Sequence, residues 1–134
     1  MINNKKIIGI VPARIGSKGL KFKNLKKLNS KPLIFWPIKT LKKSKYIDKI
    51  ILNTDSKKIR NLGTKIGAEA PFLRPKYLAS DKSKISDTII HTIRYFEKKK
   101  IFYDYLLLLE PTSPLTTTED IDNAIEVLEK SKKN

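Results

Sequence analysis

Cysteine is absent from this 134-residue chain, which excludes disulfides, thiol nucleophiles and thiolate metal sites. A single histidine, His91, excludes a multi-histidine metal site as well. Acid is scarce: 13 Asp and Glu stand against 29 Lys and Arg, for a formal net charge of +16. Arginine is scarce among the bases, limited to Arg14, Arg60, Arg74 and Arg94, while lysines are scattered over nearly every segment. A nucleic-acid surface interleaves clustered cations with aromatics, or carries a recognition motif, and the sequence offers neither. No nucleic-acid partner is therefore expected. Long apolar runs are also missing, since no segment approaches the roughly 20 residues that span a bilayer. Lys5-Lys6 before Ile7–Val11 imitates a signal peptide, but the apolar part is too short and Pro12-Ala13-Arg14 is no cleavage site. A cytoplasmic protein with no membrane partner is the expectation.

The cations that are present are unevenly placed. Residues 1–49 hold 14 basic residues and one acid, Asp48, a field that attracts anionic substrates. Within them, Pro12-Ala13-Arg14-Ile15-Gly16-Ser17-Lys18-Gly19-Leu20-Lys21-Phe22-Lys23-Asn24 follows directly on the apolar run Ile7–Val11. Two glycines let the backbone turn sharply and aim N–H groups at phosphate oxygens. Arg14, Lys18, Lys21 and Lys23 add charge-assisted donors. The spacing is not that of a Walker A loop. The alternative is a solvated basic loop.

Strand and helix patterns alternate along the chain. Ile7–Val11, Lys49–Thr54 and Tyr105–Leu109 read as buried strands. Residues 32–44 read as a helix, with Pro32 in its first turn, Pro37 kinking or delaying it, and Phe35 and Trp36 in the core. Ser56 caps a helix that Gly67 ends. Residues 70–75 hold too much proline for more than a short edge strand. Ser83 to about Lys99 is the longest helix candidate, with Ile85, Ile89, Ile93 and Phe96 as its apolar stripe. Thr117 or Thr118 caps the last helix, whose dipole Glu119 and Asp120 complement. The alternation predicts a single α/β domain over 1–134, with a doubly wound, mostly parallel sheet. Ligands of such sheets bind beyond the carboxyl ends of the strands. The basic loop, Asn53-Thr54-Asp55 and Glu110-Pro111-Thr112-Ser113-Pro114 are thus expected along one edge.

On these motifs the chain resembles the acylneuraminate cytidylyltransferases, or CMP-sialic acid synthetases, whose relatives act on legionaminate and pseudaminate. PARIGSKGLKFKN, SKPLIFWPI, NTDS, FLRPKYLASD and LLLLEPTSPLTTTEDI occur in the family's order over nearly the whole length. The resemblance implies a Rossmann-like nucleotidyltransferase fold and transfer of CMP from CTP to an acid sugar, releasing pyrophosphate. It implies that Arg14, Ser17, Lys18 and Asn24 contact the CTP phosphates and ribose, with Arg14 and Lys18 as the catalytic cations and Lys23 in the same cluster. Arg74 and Ser83 match positions that bind the cytidine part, although Arg74 can alternatively pair with Asp55, Glu69 or Asp81. Glu110 lies where many members have glutamine in contact with nucleotide or sugar.

Some positions depart from the family pattern. Glu110 accepts hydrogen bonds without donating them, so it signals a different sugar, a metal ligand or a variant. Thr116 replaces a common arginine, Ile85 replaces a frequent serine near the base, and Lys21 stands where proline is common. The family further implies Mg²⁺ and a homodimer. Its Asp-x-Asp-like metal site, dimerisation element and much of the acid-sugar pocket lie in a C-terminal portion that the 134 residues lack, so the fold is expected to be C-terminally truncated. Asp120 and Asp122 have metal-pair spacing, but their place in a helix's first turn suffices to explain them, and no metal ligand is assigned. His91 reads as a packing or surface residue, with Asp87 one turn before it. The alternatives are a nucleotidyltransferase for another base or sugar, or a catalytically inactive nucleotide-binding fragment.

Overall fold

The computed structural model describes residues 1–16, 26–112 and 115–132. Its elements in chain order are β1 (Ile7–Pro12), β2 (Lys27–Leu28), β3 (Lys31–Pro32), α1 (Phe35–Lys42), β4 (Lys49–Asn53), α2 (Lys57–Ile66), α3 (Ile85–Lys98), β5 (Tyr105–Leu108) and α4 (Thr118–Lys132). All six residues of β1 are buried. A strand that is apolar on both faces must be covered on both, and this requirement organises the rest of the chain.

β4 and β5 flank β1, each parallel to it, with Ile10 opposite both Ile51 and Leu108. The order β4-β1-β5 places a switch in strand order at β1. Ile7 and Val11 enter a core with Ile38 and Leu41 of α1, Ile59 of α2, and Ile121 and Ile125 of α4. Ile8 and Ile10 point the other way, onto Ile51 and Phe96 of α3. The sheet is therefore covered on both faces, as a doubly wound fold requires. Each fully buried isoleucine of β1 contributes about 1.5–3 kcal/mol. Gly9 keeps the first face open to close approach, because a Cβ there would lie 3.1 Å from Leu41 Cδ1.

The outer margin of β4 is closed by Glu69, whose carbonyl accepts from Leu52 N and whose amide donates to Ile50 O, both at 2.9 Å. No strand pairs with the outer margin of β5 among the described residues. Local caps match their residue types. Ser56 Oγ accepts from Ile59 N at 3.2 Å, and Gly67 ends α2 at φ 127°. Thr117 Oγ1 accepts from Asp120 N while the Asp120 carboxylate accepts from Thr117 N, which fixes Thr117 as the cap of α4. Thr118 instead donates to Thr40 O at 2.8 Å and ties α4 to α1.

Four sequence expectations are corrected. Pro32 does not open a helix: it closes a short β2–β3 hairpin whose turn residues Asn29 and Ser30 have φ 51° and 69°. The helix starts at Phe35, so Pro37 falls in the first turn, where no intrahelical partner for its amide is lost. Phe35 and Trp36 are half-buried rather than core. Trp36 Nε1 donates to Leu28 O at 3.1 Å and holds the hairpin on α1. On α3 the stripe is rotated: Thr88, Thr92 and Phe96 are buried, whereas Ile85 is exposed. Of the buried threonines, Thr92 meets a buried polar group of β4, and satisfying it outranks apolar periodicity. The helix begins at Ile85 and, at 14 residues, is one shorter than α4.

At the opposite end of the sheet, α4 is fastened by its acids. Asp122 accepts from Ser44 Oγ at 2.5 Å, Glu126 accepts from Tyr46 Oη, and buried Glu129 accepts from Tyr105 Oη. These carboxylates hold the Tyr46 and Tyr105 phenols up at about 12.

Candidate functional site

The carboxyl ends of β1, β4 and β5 open on one edge, where the three polar segments meet. Ala13 N donates to Asn53 O at 2.9 Å and Ile15 N to Asp55 Oδ1 at 2.8 Å, so β4 anchors the start of the basic loop. Thr54 Oγ1 accepts from Ser56 N, and Thr54 O accepts from Arg74 N at 2.7 Å, which draws in the proline-flanked segment. A cavity of about 290 Å³ lies between these segments and the start of α3, lined by Arg14, Arg74, Asp81, Ser83, Ile85 and Glu110 among others. Arg14, Arg74, Ser83 and Glu110, expected from the sequence at one site, are thus brought together. Ser17, Lys18, Lys23 and Asn24 lie outside the described residues.

The two guanidiniums are held in opposite ways. Arg14 Nη2 pairs with Asp81 Oδ1 at 2.6 Å, and its Nη1 donates to Ala79 O at 3.4 Å. Arg74 is 6% exposed, and its partners are neutral. Its Nε donates to Asn53 Oδ1 at 2.6 Å, Nη2 to Asn53 O at 2.8 Å, and Nη1 to Leu78 O at 3.5 Å. Burial pulls the Arg74 guanidinium down to about 10, with Asp55 opposing that shift and Arg14 adding to it. Asp55 therefore acts on Arg74 through space, and Asp81 is taken by Arg14. The expected alternative of an acid partner for Arg74 gives way to an amide and two carbonyls.

Ser83 Oγ donates to Tyr77 O at 3.0 Å and lies 3.2 Å from Ser80 Oγ, so it braces the turn that rims the cavity. Glu110 is exposed at the cavity's edge. Thr116 lies in a neighbouring depression of about 320 Å³, against Leu107, Leu109, Ile121 and Ala124, and Glu110 borders both. Asp87 caps α3 by accepting from Lys84 N at 3.3 Å. His91 stacks edge-on against Phe72 at 4.8 Å, with its Nδ1 buried and unpartnered among the described residues. Burial first, then the charges of Arg74 and Lys98, lower the His91 imidazole below its ordinary value. It is a packing residue, as the sequence suggested.

Sequence reasoning placed Asn53 on this edge and named Asp81 as an alternative partner of Arg74, but missed the hold of Asn53 on Arg74, the part of Thr92 and the pairing of Asp81 with Arg14. The signal for Asn53 was present: an amide directly after two apolar residues of a buried strand demands partners. Asp120 and Asp122 are engaged by Thr117 and Ser44, and no group of three or more His, Asp or Glu converges among the described residues.

A parallel α/β sheet with cationic side chains at its switch-point cleft defines a nucleotide- or phosphate-handling class of protein. The chain belongs to the cytidylyltransferase family, whose sequence pattern matches residues 8–134. It is 39% identical over 122 residues to CMP-N,N'-diacetyllegionaminic acid synthase of Legionella pneumophila subsp. pneumophila, covering 91% of this chain and 53% of that protein. It is 36% identical over 128 residues to N-acylneuraminate cytidylyltransferase of Escherichia coli O18:K1:H7, covering 96% of this chain and 29% of that one. The fold matches that of CMP:2-keto-3-deoxy-manno-octonic acid synthetase solved in complex with CTP. The TM-score is 0.79 at 18% identity, over 94% of this chain and 48% of that one. The chain thus spans about half the length, or less, of these relatives. No helix among the described residues is long and apolar enough to cross a membrane.

Proposed function

We propose that this chain supplies the CTP-binding part of an enzyme that transfers CMP to a nonulosonic acid sugar and releases pyrophosphate. The observation that carries this reading is the convergence of Arg14 and Arg74 on one cavity at the switch point, in a chain of the cytidylyltransferase family. The relatives' names point to acid sugars as acceptors. Attack by a sugar hydroxyl on the α-phosphorus, in line with departing pyrophosphate, develops charge on the phosphate oxygens. Arg14, with Lys18, Lys23, Ser17 and Asn24 of the same loop, stabilises that charge by donating hydrogen bonds to the phosphate oxygens. Arg74 and Ser83 hold the cytidine part, and Glu110 borders the acceptor side. No step is routed through a metal; Asp120 and Asp122, which have metal-pair spacing, are engaged by Thr117 and Ser44.

Calorimetric titration with CTP, GTP and a short RNA, each with and without Mg²⁺, tests the reading. CTP is expected to bind in preference to GTP and to the RNA. A chain that prefers RNA over every nucleotide is not a cytidylyltransferase module. Equal binding of GTP and CTP moves the assignment to a nucleotidyltransferase of another base, the reading left open by Ile85 at the cavity wall.

A further inference from the structure

Asn53 is fully buried at the carboxyl end of β4, and both polar atoms of its side chain and its main-chain carbonyl are hydrogen-bonded. Its Oδ1 and its main-chain carbonyl take the Nε and Nη2 of Arg74, at 2.6 and 2.8 Å. These two nitrogens form one straight edge of the guanidinium, so a single residue fixes both the position and the plane of the group. The opposite edge is left for Leu78 O and for the cavity that Arg74 lines.

The orientation of the amide is itself determined. Thr92 Oγ1 donates to Thr88 O at 3.0 Å, so its lone pairs are what it offers to Asn53. Asn53 Nδ2 donates into them at 2.7 Å. The amide oxygen must then face Arg74, which can only donate. A hydroxyl on α3 thereby sets an amide on β4, and the amide sets a cation in the cleft. Because every close partner of Arg74 is neutral, its charge stays available to a ligand, in contrast to Arg14, which Asp81 pairs.

We infer that Asn53 is a positioning residue for nucleotide binding, acting through Arg74, with Thr92 locking its amide in the productive orientation. The inference rests on the CTP-binding reading above and deepens it. The same contacts could serve only to stabilise the fold, and a double-mutant cycle separates the two roles.

CTP affinity is measured by calorimetry for the unaltered chain, Asn53→Ala, Arg74→Ala and the double variant, with circular dichroism confirming the fold of each. Asn53→Ala is expected to weaken CTP binding about tenfold, the scale of a lost charge-assisted hydrogen bond. In the Arg74→Ala background the same change is expected to cost nothing further. Equal losses in both backgrounds, or no loss from Asn53→Ala alone, overturn the inference while leaving CTP binding intact. If Asn53→Ala does not fold, the near-isosteric Thr92→Val replaces it in the cycle. It is expected to weaken binding severalfold only where Arg74 is present, and an Arg74-independent loss, or none, overturns the inference. An unaltered chain that takes up no CTP overturns both the inference and the functional reading.

Discussion

Gly63 sits inside α2, where helix propensity and packing make opposite demands. Replacing a helical glycine by alanine restricts the unfolded chain and is worth about 1 kcal/mol of stability. The structure opposes that gain. A Cβ at Gly63 would lie 2.1 Å from Leu52 Cδ2 and 3.7 Å from Ile38 Cδ1. Both neighbours are fully buried, so Leu52 can yield only by leaving its rotamer in a filled core. Overpacking of this kind costs about 1–3 kcal/mol, and a contact this short belongs at the upper end. Gly63→Ala is thus expected to destabilise the chain by about 1–2 kcal/mol net. At about 3–5 °C per kcal/mol for a domain of this size, Tm falls by about 3–10 °C in calorimetry or circular dichroism melting. A Tm equal to or above that of the unaltered chain refutes the packing argument and leaves propensity in control. Leu52→Val supplies an internal check, since shortening Leu52 is expected to absorb part of the Gly63→Ala penalty. The double variant should be less destabilised than the two single changes taken together.

Ser56→Ala removes the acceptor of Ile59 N and is expected to cost about 1 kcal/mol, read as a lower denaturation midpoint with an unchanged m-value. The lowered His91 pKa means that the unfolded chain binds the extra proton as pH falls below about 6.5, so stability declines in that window and is regained above it. His91→Leu is expected to flatten the slope between pH 7 and 5, and urea titrations showing the same slope in both proteins would contradict this cause. Glu110→Gln removes an exposed carboxylate from the cavity's edge and is expected to tighten CTP binding about two- to fivefold at low salt, fading as salt rises.

Much of the fold was legible because burial leaves a simple trace. The runs at Ile7–Val11, Ile50–Leu52 and Tyr105–Leu109 could be little else than covered strands, and their alternation with Ser56 and Thr117 caps points to parallel topology. The meeting of Arg14 and Glu110 at one cavity followed from that topology, since each closely follows a strand's carboxyl end, whereas Arg74 and Ser83 lie far beyond β4 in the sequence and were placed at the site by the family resemblance alone. The rotation of α3 was not legible. Periodicity favoured Ile85, Ile89 and Ile93, but Asn53 required the hydroxyl of Thr92, and a buried amide's demand appears only when the strand and helix are seen together. The hairpin at Asn29-Ser30 was hidden for a different reason. Both residues adopt positive φ without a glycine, the usual marker of such turns. The partner of Arg14 was equally out of reach, because 67 positions separate it from Asp81 and only the cleft brings them together.

The two margins of the sheet are unequal, and this gives it a direction of growth. On one side Glu69 seals β4. On the other, Tyr105 N and Leu109 N reach inward to Lys6 O and Ile10 O, so the alternating amides of Leu106 and Leu108 face outward. Among the described residues, the margin open to a further strand is therefore the one beside β5, next to the segment that carries Glu110 and Thr116. The margin that allows the cleft to gain a further wall also presents unpaired backbone groups on which a strand of another molecule can template.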